Sequence, residues 1–260
     1  MVTTEHRRSE ATQPVHIPQY TRAGVLGMWA AAALPMAVLA WGVAPRLADA
    51  FEGPTALPRA LILCLVAGML WQLLLVLALV HREQGSLRWP VVKDALWLHA
   101  PRSPRTGRRS ARLWWVLVPM VVALAAEELL PPLPTPATRD LGLFLGSPAG
   151  QAFLSGNWGW LAVLVAMFVL NTVLGEELFF RGLLLPRMRG AFGRWDWVGN
   201  GVLFALYHLH EPWAIPKTLL VDTFALAYPS RRYRSALLGI AVHSAQTVFF
   251  TVLVVGLVLK

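Results

Sequence analysis

The stretch LNTVLGEELFFRGLLLPR, residues 170–187, decides how the rest of the chain is interpreted. It closes an apolar run long enough to cross a bilayer, yet Glu176, Glu177 and Arg181 lie in its middle. Ionisable side chains are costly at that depth, and they usually face the protein interior or a water-filled cavity. The stretch therefore predicts a membrane-spanning helix that carries a functional site.

The composition of the whole chain fits a membrane protein. Of 260 residues, 56% are hydrophobic and 14% are charged, whereas soluble domains carry about 25% charged residues. We predict an all-α fold, a polytopic membrane helical bundle of about 7–8 transmembrane helices. The apolar segments that support this prediction lie near 24–43, 60–80, 113–126, 158–186, 197–210, 213–228 and 235–259.

The distribution of basic residues predicts the orientation of the bundle. The formal net charge is +9, and the basic residues concentrate in loops such as 81–112, whereas the Pro-rich loop 127–157 is slightly acidic. By the positive-inside rule, the 81–112 loop and the N-terminus are expected to be cytoplasmic. The same rule explains the positive charge without nucleic acid, so membrane lipid is the expected partner. Arginine outnumbers lysine, a bias that fits a bacterial protein, so we expect a multi-pass protein of the bacterial inner membrane.

Three regions are expected along the chain. Residues 1–23 form a loose polar cytoplasmic tail, residues 24–152 hold the N-terminal spans and the basic loop 81–112, and residues 153–260 form the membrane core that carries the candidate site. The run 24–43 is longer than the apolar part of a signal peptide, so an uncleaved first span is predicted. Segments 197–210 and 213–228 are short and separated by prolines, which suits a re-entrant pair.

Ionisable residues on three different segments are predicted to lie at one depth. Glu176 precedes the basic boundary at Arg187 by eleven residues, which corresponds to about 16 Å along a helix. The same count puts His208 and His243 about 18 Å and 14 Å from their polar boundaries. Because the hydrocarbon core is about 30 Å thick, all three side chains are expected to meet near its middle.

Helical spacing suggests how these residues interact. Glu177 and Arg181 are separated by four residues in the order that favours a helical ion pair. Glu176 lies about 100° round the helix and is left for chemistry. His210 is expected to point away from the face of His208 and to take no part. On the last span, His243 shares a face with Gln246 and Thr247.

Three motifs resemble a known family. EELFFR at 176–181 fits an EExxxR pattern, FALYH at 204–208 fits an FxxxH pattern, and His243 follows in a late apolar span. In this order they resemble the CPBP family, which includes CAAX prenyl endopeptidases and bacteriocin-processing or bacteriocin-immunity (Abi) membrane proteins. The resemblance covers roughly residues 155–255.

The resemblance implies an intramembrane endopeptidase whose substrate is a peptide or protein with a membrane-associated segment. Such a segment is a CAAX-type tail, a leader or a C-terminal sorting tail. By resemblance, Glu176 would be the general base, with His208 beside it. Arg181 would order the glutamate helix by pairing with Glu177, and His243 would stabilise the oxyanion.

One position departs from the family pattern. The family often has Asn, sometimes Asp, four residues after the last histidine, and this chain has Thr247 there. Thr247 can donate one hydrogen bond and Gln246 beside it can donate two. The departure either weakens catalysis, or moves the oxyanion donor to Gln246, or indicates a chain that is not a protease.

Alternatives remain open at this point. Two histidines and a glutamate could ligate Zn²⁺, so the cofactor is either none or a divalent metal such as zinc. A non-proteolytic immunity or scaffold protein on the same fold is a second possibility. A transporter with a Glu/His proton relay is a third, although no internal repeat of the kind common in transporters is found.

Overall fold

The computed structural model describes residues 15–131 and 133–260, and these residues form helices joined by turns and loops. An isolated antiparallel β-bridge joins Arg102 and Arg109. The longer helical segments are α1 (Arg22–Ala48), α2 (Ala56–Gln84), α3 (Ala111–Ala125), α4 (Trp158–Arg187), α5 (Asp196–Tyr207), α6 (215–233) and α7 (Ala236–Val258). The predicted all-α class is therefore confirmed for the described residues.

Shorter helical pieces connect these segments. They are Trp89–Ala95, Ala126–Leu129, Leu141–Gly146, Pro148–Leu154, Arg189–Phe192, Gly193–Trp195, His208–His210 and Pro212–Ala214. Two of them, Leu141–Gly146 and Pro148–Leu154, lie in the Pro-rich region 127–157 that was predicted to be a loop. Each begins after a side-chain cap, Asp140 and Ser147 respectively, which accepts a hydrogen bond from a backbone N–H of the first turn.

Four helices in the described residues are long and apolar enough to cross a membrane: α1, α2, α4 and α7. Helix α3 is apolar but shorter than a span, and α5 has only 12 residues. The structure thus supports a membrane protein, whereas the count of about 7–8 spans and the cytoplasmic N-terminus stay predictions.

The largest apolar core joins the two halves of the chain. It collects buried side chains from α1, α2, α4 and α5, among them Met36, Met69, Phe180 and Phe204. The spans predicted in the N-terminal region therefore pack directly on the helices that carry the EExxxR and FxxxH motifs. This packing fixes where those motifs lie relative to each other.

Helices α5 and α6 cross at a glycine. A Cβ built on Gly201 would lie 2.1 Å from the Thr223 hydroxyl oxygen and 2.8 Å from the Thr223 Cα. Contact with backbone at that distance cannot be relieved by a rotamer change, so any larger residue would push the helices apart. The close crossing holds α5 in place up to the turn that carries His208.

The expectation of a loose tail is wrong for residues 15–21, and residues 1–14 lie outside the described residues. The Tyr20 N–H donates to the Arg187 carbonyl, at 2.9 Å, and the Tyr20 hydroxyl contacts the Glu83 carboxylate. Gln19 donates to the Pro186 carbonyl and accepts from the Gly190 N–H. Residues 15–21 therefore form a strap across the ends of α2 and α4.

Arg187 behaves differently from an ordinary loop arginine at a membrane boundary. Its side chain is fully buried, and its guanidinium contacts both carboxylate oxygens of Glu83, the nearest at 2.5 Å. It also donates to the carbonyls of Ala95 and Leu183. Because the charge is paired and its donors are used, it anchors the end of α4 inside the protein.

Candidate active site

The backbone of α4 is widened on both sides of the glutamate pair. Residues Leu170–Gly175 and Leu178–Leu184 are π-helical, so only Glu176 and Glu177 between them keep α-helical geometry. π-Helical turns occur frequently at functional sites, because they leave carbonyls without their usual partners and re-aim side chains. Asn200 on α5 donates to one such carbonyl, that of Phe180, at 2.9 Å.

The predicted ion pair between Glu177 and Arg181 is present. Both side chains are fully buried, and Arg181 Nη1 lies 3.2 Å from Glu177 Oε1. The guanidinium nitrogens are not aligned for hydrogen bonds to any described group, so we treat the contact as a charge pair. The Arg181 Cζ also lies 4.0 Å from the centre of the Phe204 ring, a cation–π contact.

His243 lies between the two glutamates. Its Nδ1 is 3.3 Å from Glu177 Oε1, and its Nε2 is 4.0 Å from Glu176 Oε2. All three side chains are buried, Glu176 with 2% of its surface exposed. The α4 and α7 segments therefore meet as the depth estimate predicts, and the Glu177 carboxylate orients the imidazole.

His208 joins this group through an aromatic ring rather than through a carboxylate of α4. The Phe204 ring lies 5.1 Å from the His208 ring and 6.5 Å from the His243 ring, centre to centre. His208 Nδ1 is 3.0 Å from the Phe204 carbonyl oxygen, and Nε2 is 4.0 Å from Glu211 Oε1. Within the described residues, Glu176 is not among the carboxylates within 4.0 Å of either His208 nitrogen.

The expected direction of the His210 side chain is wrong. Helix α5 ends at Tyr207, and His208–His210 form a 3-10 turn, so helical spacing no longer decides where the side chains point. The His208 and His210 rings stack with centres 5.5 Å apart. His210 Nε2 lies 3.4 Å from Glu211 Oε1, and His210 is among the charged neighbours of Glu176.

The two candidate oxyanion donors on α7 have different surroundings. The Thr247 hydroxyl oxygen lies 2.6 Å from that of Thr172 on α4 and 3.4 Å from the Phe168 carbonyl oxygen. Its one proton is therefore used between the helices. Gln246 is half-buried and lies one turn from His243 on the same face of α7.

Comparison with known proteins agrees with the motif order. Residues 157–249 match the family model described as type II CAAX prenyl endopeptidase Rce1-like. This segment is similar to that family. No curated protein and no solved structure matches the chain. The resemblance found in the sequence is thus confirmed, and the match indicates a protease.

The Rce1-like segment contains site residues that sequence reasoning missed. Asp222 on α6 is buried, and the charges of Arg181 and His243 act on its carboxyl group. An aspartate inside an apolar run is the same signal that singled out Glu176, so Asp222 could have been found. Glu211 follows His210 directly, but its role depends on the turn that ends α5.

A further missed contribution comes from outside the Rce1-like segment. The Tyr207 hydroxyl on α5 donates to Gln72 Oε1 on α2, at 2.9 Å, and both side chains are fully buried. Glu176 is a charged neighbour of Tyr207. A glutamine in the middle of α2 was a weak signal in the sequence, because one buried amide is compatible with ordinary helix packing.

The glutamate and histidine side chains of the candidate active site do not form a metal-binding cluster in the described residues. In the part of the chain that the structure describes, no three His, Cys, Asp or Glu side chains come together as ligands for an ion. His243 Nδ1 faces Glu177, and His208 Nδ1 faces a backbone carbonyl, so one nitrogen of each ring is already occupied.

Proposed function

We propose that the protein is an intramembrane endopeptidase that hydrolyses a peptide bond near a membrane-associated segment of its substrate. The substrate segment is a CAAX-type tail, a leader or a C-terminal sorting tail. The observation that carries the proposal is the buried contact of His243 with both Glu176 and Glu177, in a segment whose family is that of the CAAX prenyl endopeptidases.

The division of labour between the two glutamates follows from their partners. Glu177 is held by Arg181 and by His243 Nδ1, so its carboxylate is fixed in place. Glu176 is free of the arginine and has His243 and His210 as its histidine neighbours. We assign to Glu176 the role of general base, because a base needs a carboxylate that can accept and release a proton.

The reaction requires few groups. Glu176 takes a proton from a water, whose oxygen attacks the scissile carbonyl carbon, and the carbonyl oxygen becomes an oxyanion. His243 and Gln246 donate hydrogen bonds to that oxyanion. Collapse of the intermediate breaks the C–N bond, and the leaving nitrogen takes the proton from Glu176. His208, held by the Phe204 carbonyl, positions the water on the other side.

Location and orientation belong to the same proposal. The four apolar spans and the basic loop 81–112 support a multi-pass protein of the bacterial inner membrane with a cytoplasmic N-terminus. Membrane lipid surrounds it, and the active site opens toward the cytoplasm. A substrate anchored in the same bilayer then reaches the site by lateral diffusion.

A second candidate function is a non-proteolytic immunity or scaffold protein on the same fold. The observation that favours it is Thr247, which stands where the family often has Asn. Its hydroxyl is bound to Thr172, and it has no amide to donate to an oxyanion. Buried charge in the form of Glu176, Glu177 and Arg181 argues against it, because a scaffold gains nothing from ionisable groups at that depth.

Comparison of membrane peptides tests the proposal. Wild type, Glu176→Gln and the control Glu52→Gln are expressed at equal levels, and the peptide fragments in their membranes are identified by mass spectrometry. Glu52 is an exposed acid in the turn between α1 and α2. Fragments common to wild type and Glu52→Gln and absent from Glu176→Gln are expected, and they identify the cleavage site.

Two other results would favour different conclusions. If Glu176→Gln produced the same fragments as wild type, Glu176 would not be the general base. If all three samples and membranes without the protein gave identical peptides, the scaffold function would be favoured. Zinc analysis of the purified active protein addresses the metal alternative, with stoichiometric zinc contradicting a mechanism that uses side chains alone.

A further inference from the structure

A basic pocket lies at the opposite end of α5 from His208. Its volume is about 430 Å³, within the range of roughly 300–1,000 Å³ that is typical of small-molecule sites. Helix α5 separates it from His208 by twelve residues, or about 18 Å along the helix. The arginines that line this basic pocket are Arg102, Arg189, Arg194, Arg231, Arg232 and Arg234.

The charge of the basic pocket is largely uncompensated. Its one acidic lining residue, Asp196, already pairs with Arg231, with 2.5 Å between carboxylate oxygen and Nε. The other five arginines form no ion pair with any carboxylate in the described residues. Arg102 Nε is shielded from solvent and has no hydrogen-bond partner there. Such a concentration of unpaired guanidinium groups favours an anionic ligand.

The walls of the basic pocket are held by backbone contacts. The loop that carries Arg102 is attached to the junction of α6 and α7, because the Arg102 N–H donates to the Tyr233 carbonyl at 2.9 Å. Two further hydrogen bonds join the same two segments. The Ala236 N–H donates to the Trp97 carbonyl, and the Ser235 hydroxyl donates to the His99 carbonyl. These bonds hold the segment that carries Arg102 against the segment that carries Arg231, Arg232 and Arg234.

Two aromatic side chains also line the basic pocket. Trp197 packs edge-on against Tyr228, with ring centres 5.1 Å apart, and both line the basic pocket. Tryptophan and tyrosine are enriched where a membrane protein meets the headgroup layer. The positive-inside rule accounts for arginines on one side of the membrane, but it does not require arginines from three separate segments to face one concavity.

We propose that the basic pocket binds a phosphate group, carried either by the headgroup of an anionic phospholipid or by a small soluble phosphate. Guanidinium groups match phosphate oxygens with paired hydrogen bonds, and several of them around one cavity can surround a single phosphate. The aromatic wall suits the glycerol or acyl portion of a lipid next to that phosphate. The pocket is separate from the glutamate and histidine site and its ligand is not the peptide substrate.

Binding of defined phosphates to the purified full chain tests this inference. Dioctanoyl phosphatidic acid, glycerol 3-phosphate and dioctanoyl phosphatidylcholine are titrated separately in detergent, and bound ligand is counted by native mass spectrometry. The pocket variant is Arg189→Gln/Arg194→Gln/Arg232→Gln, in which all three side chains are exposed. The control variant, Arg105→Gln/Arg108→Gln/Arg112→Gln, removes the same charge from exposed positions that do not line the pocket.

We expect phosphatidic acid to bind wild type and the control variant equally, and the pocket variant about tenfold to a hundredfold more weakly. Thermal unfolding midpoints of the two variants should match, which separates loss of ligand from loss of folding. Glycerol 3-phosphate binding as tightly as phosphatidic acid identifies a soluble phosphate, and weaker binding identifies a lipid headgroup. Equal losses in both variants, no loss in either, or equal binding of phosphatidylcholine would overturn the proposal.

Discussion

Helix α7 passes over the Glu177 carboxylate at Gly239, where an added Cβ would lie 2.1 Å from Glu177 Oε2. The carboxylate cannot easily move aside, because it is fully buried and held by Arg181 and His243. A glycine at this position therefore lets the helix that carries His243 approach the glutamate pair. Glycine inside a helix is otherwise unfavourable, so its presence at 239 reflects this contact.

Gly239→Ala is expected to separate α7 from Glu177. The substitution should abolish or strongly reduce proteolysis and lower the thermal unfolding midpoint, because either the ion pair or the helix contact must shift. Gly256→Ala on the same helix is the matched control, since nothing lies within 4 Å of its added Cβ. That control should stabilise the protein by about 0.5–1 kcal/mol. Full activity and an unchanged midpoint in Gly239→Ala would contradict the close contact.

Arg181 compensates more than one buried carboxylate. It pairs with Glu177 and is the charged neighbour that acts most strongly on Asp222. Arg181→Met should therefore destabilise the protein by about 3–5 kcal/mol, the usual cost of leaving a buried charge without its partner. The midpoint of thermal unfolding in detergent measures this.

The double variant Glu177→Gln/Arg181→Met provides the control for that prediction. It should regain part of the lost stability, because one carboxylate charge is removed together with the arginine. Proteolysis should stay absent in the double variant. If Arg181→Met were as stable as wild type, Arg181 would not be the counter-charge for this cluster.

Two neighbouring residues on α7 should differ in their contribution to catalysis. The Thr247 hydroxyl is bound to Thr172, so Thr247→Val should lower the cleavage rate only a few-fold and cost roughly 1 kcal/mol of stability. Gln246→Leu should lower the rate about 10²–10³-fold, as expected for loss of an oxyanion donor. Single-turnover cleavage of the substrate found by peptide mapping measures both. The reverse order of effects would assign the donor to Thr247.

Local spacing explains why part of the site could be predicted. The Glu177–Arg181 pair depends only on helical geometry, and the common depth of Glu176 and His243 depends only on counting residues from polar boundaries. The positions of His210 and Glu211 could not be predicted from helical spacing, because α5 ends one residue before His208. A 3-10 turn follows and changes the direction of the next side chains. No periodicity in the sequence signals that change.

Tertiary contacts explain the rest of the difference between prediction and structure. The strap 15–21 belongs to the segment predicted as a polar tail, yet it docks because Tyr20 and Gln19 form hydrogen bonds with backbone and carboxylate groups at the ends of α2 and α4. Gln72 approaches the site because α2 packs on α4 and α5. Contacts of this kind depend on how distant segments are arranged, and an amphipathic pattern does not encode them.

The loop behind the basic pocket should be sensitive to acid. Burial lowers the pKa of His99, the charges of Arg102 and Arg109 lower it further, and Asp94 opposes them. The folded loop then binds fewer protons than the unfolded one, so the stabilisation is complete above the ordinary histidine pKa of about 6.5. It is lost as the pH falls below that value.

Hydrogen exchange of residues 97–103 at pH 7 and pH 5.5, corrected for intrinsic rates, tests this. Exchange should be faster at pH 5.5 in wild type, and His99→Gln should show a smaller difference between the two pH values. His81→Gln, at an exposed position near the end of α2, is the control and should behave as wild type. Equal protection of wild type at both pH values would contradict the prediction.

The hydrogen bond from Tyr207 to Gln72 should couple the N-terminal spans to the active site. Tyr207→Phe leaves the buried Gln72 oxygen without this donor and should destabilise the protein by about 1–3 kcal/mol. Gln72→Leu should have a similar effect, and the double variant should be more stable than the sum of the single losses predicts. Tyr228→Phe, at an exposed tyrosine, should leave the thermal midpoint unchanged. Strict additivity of the two buried substitutions would show that the two side chains act independently.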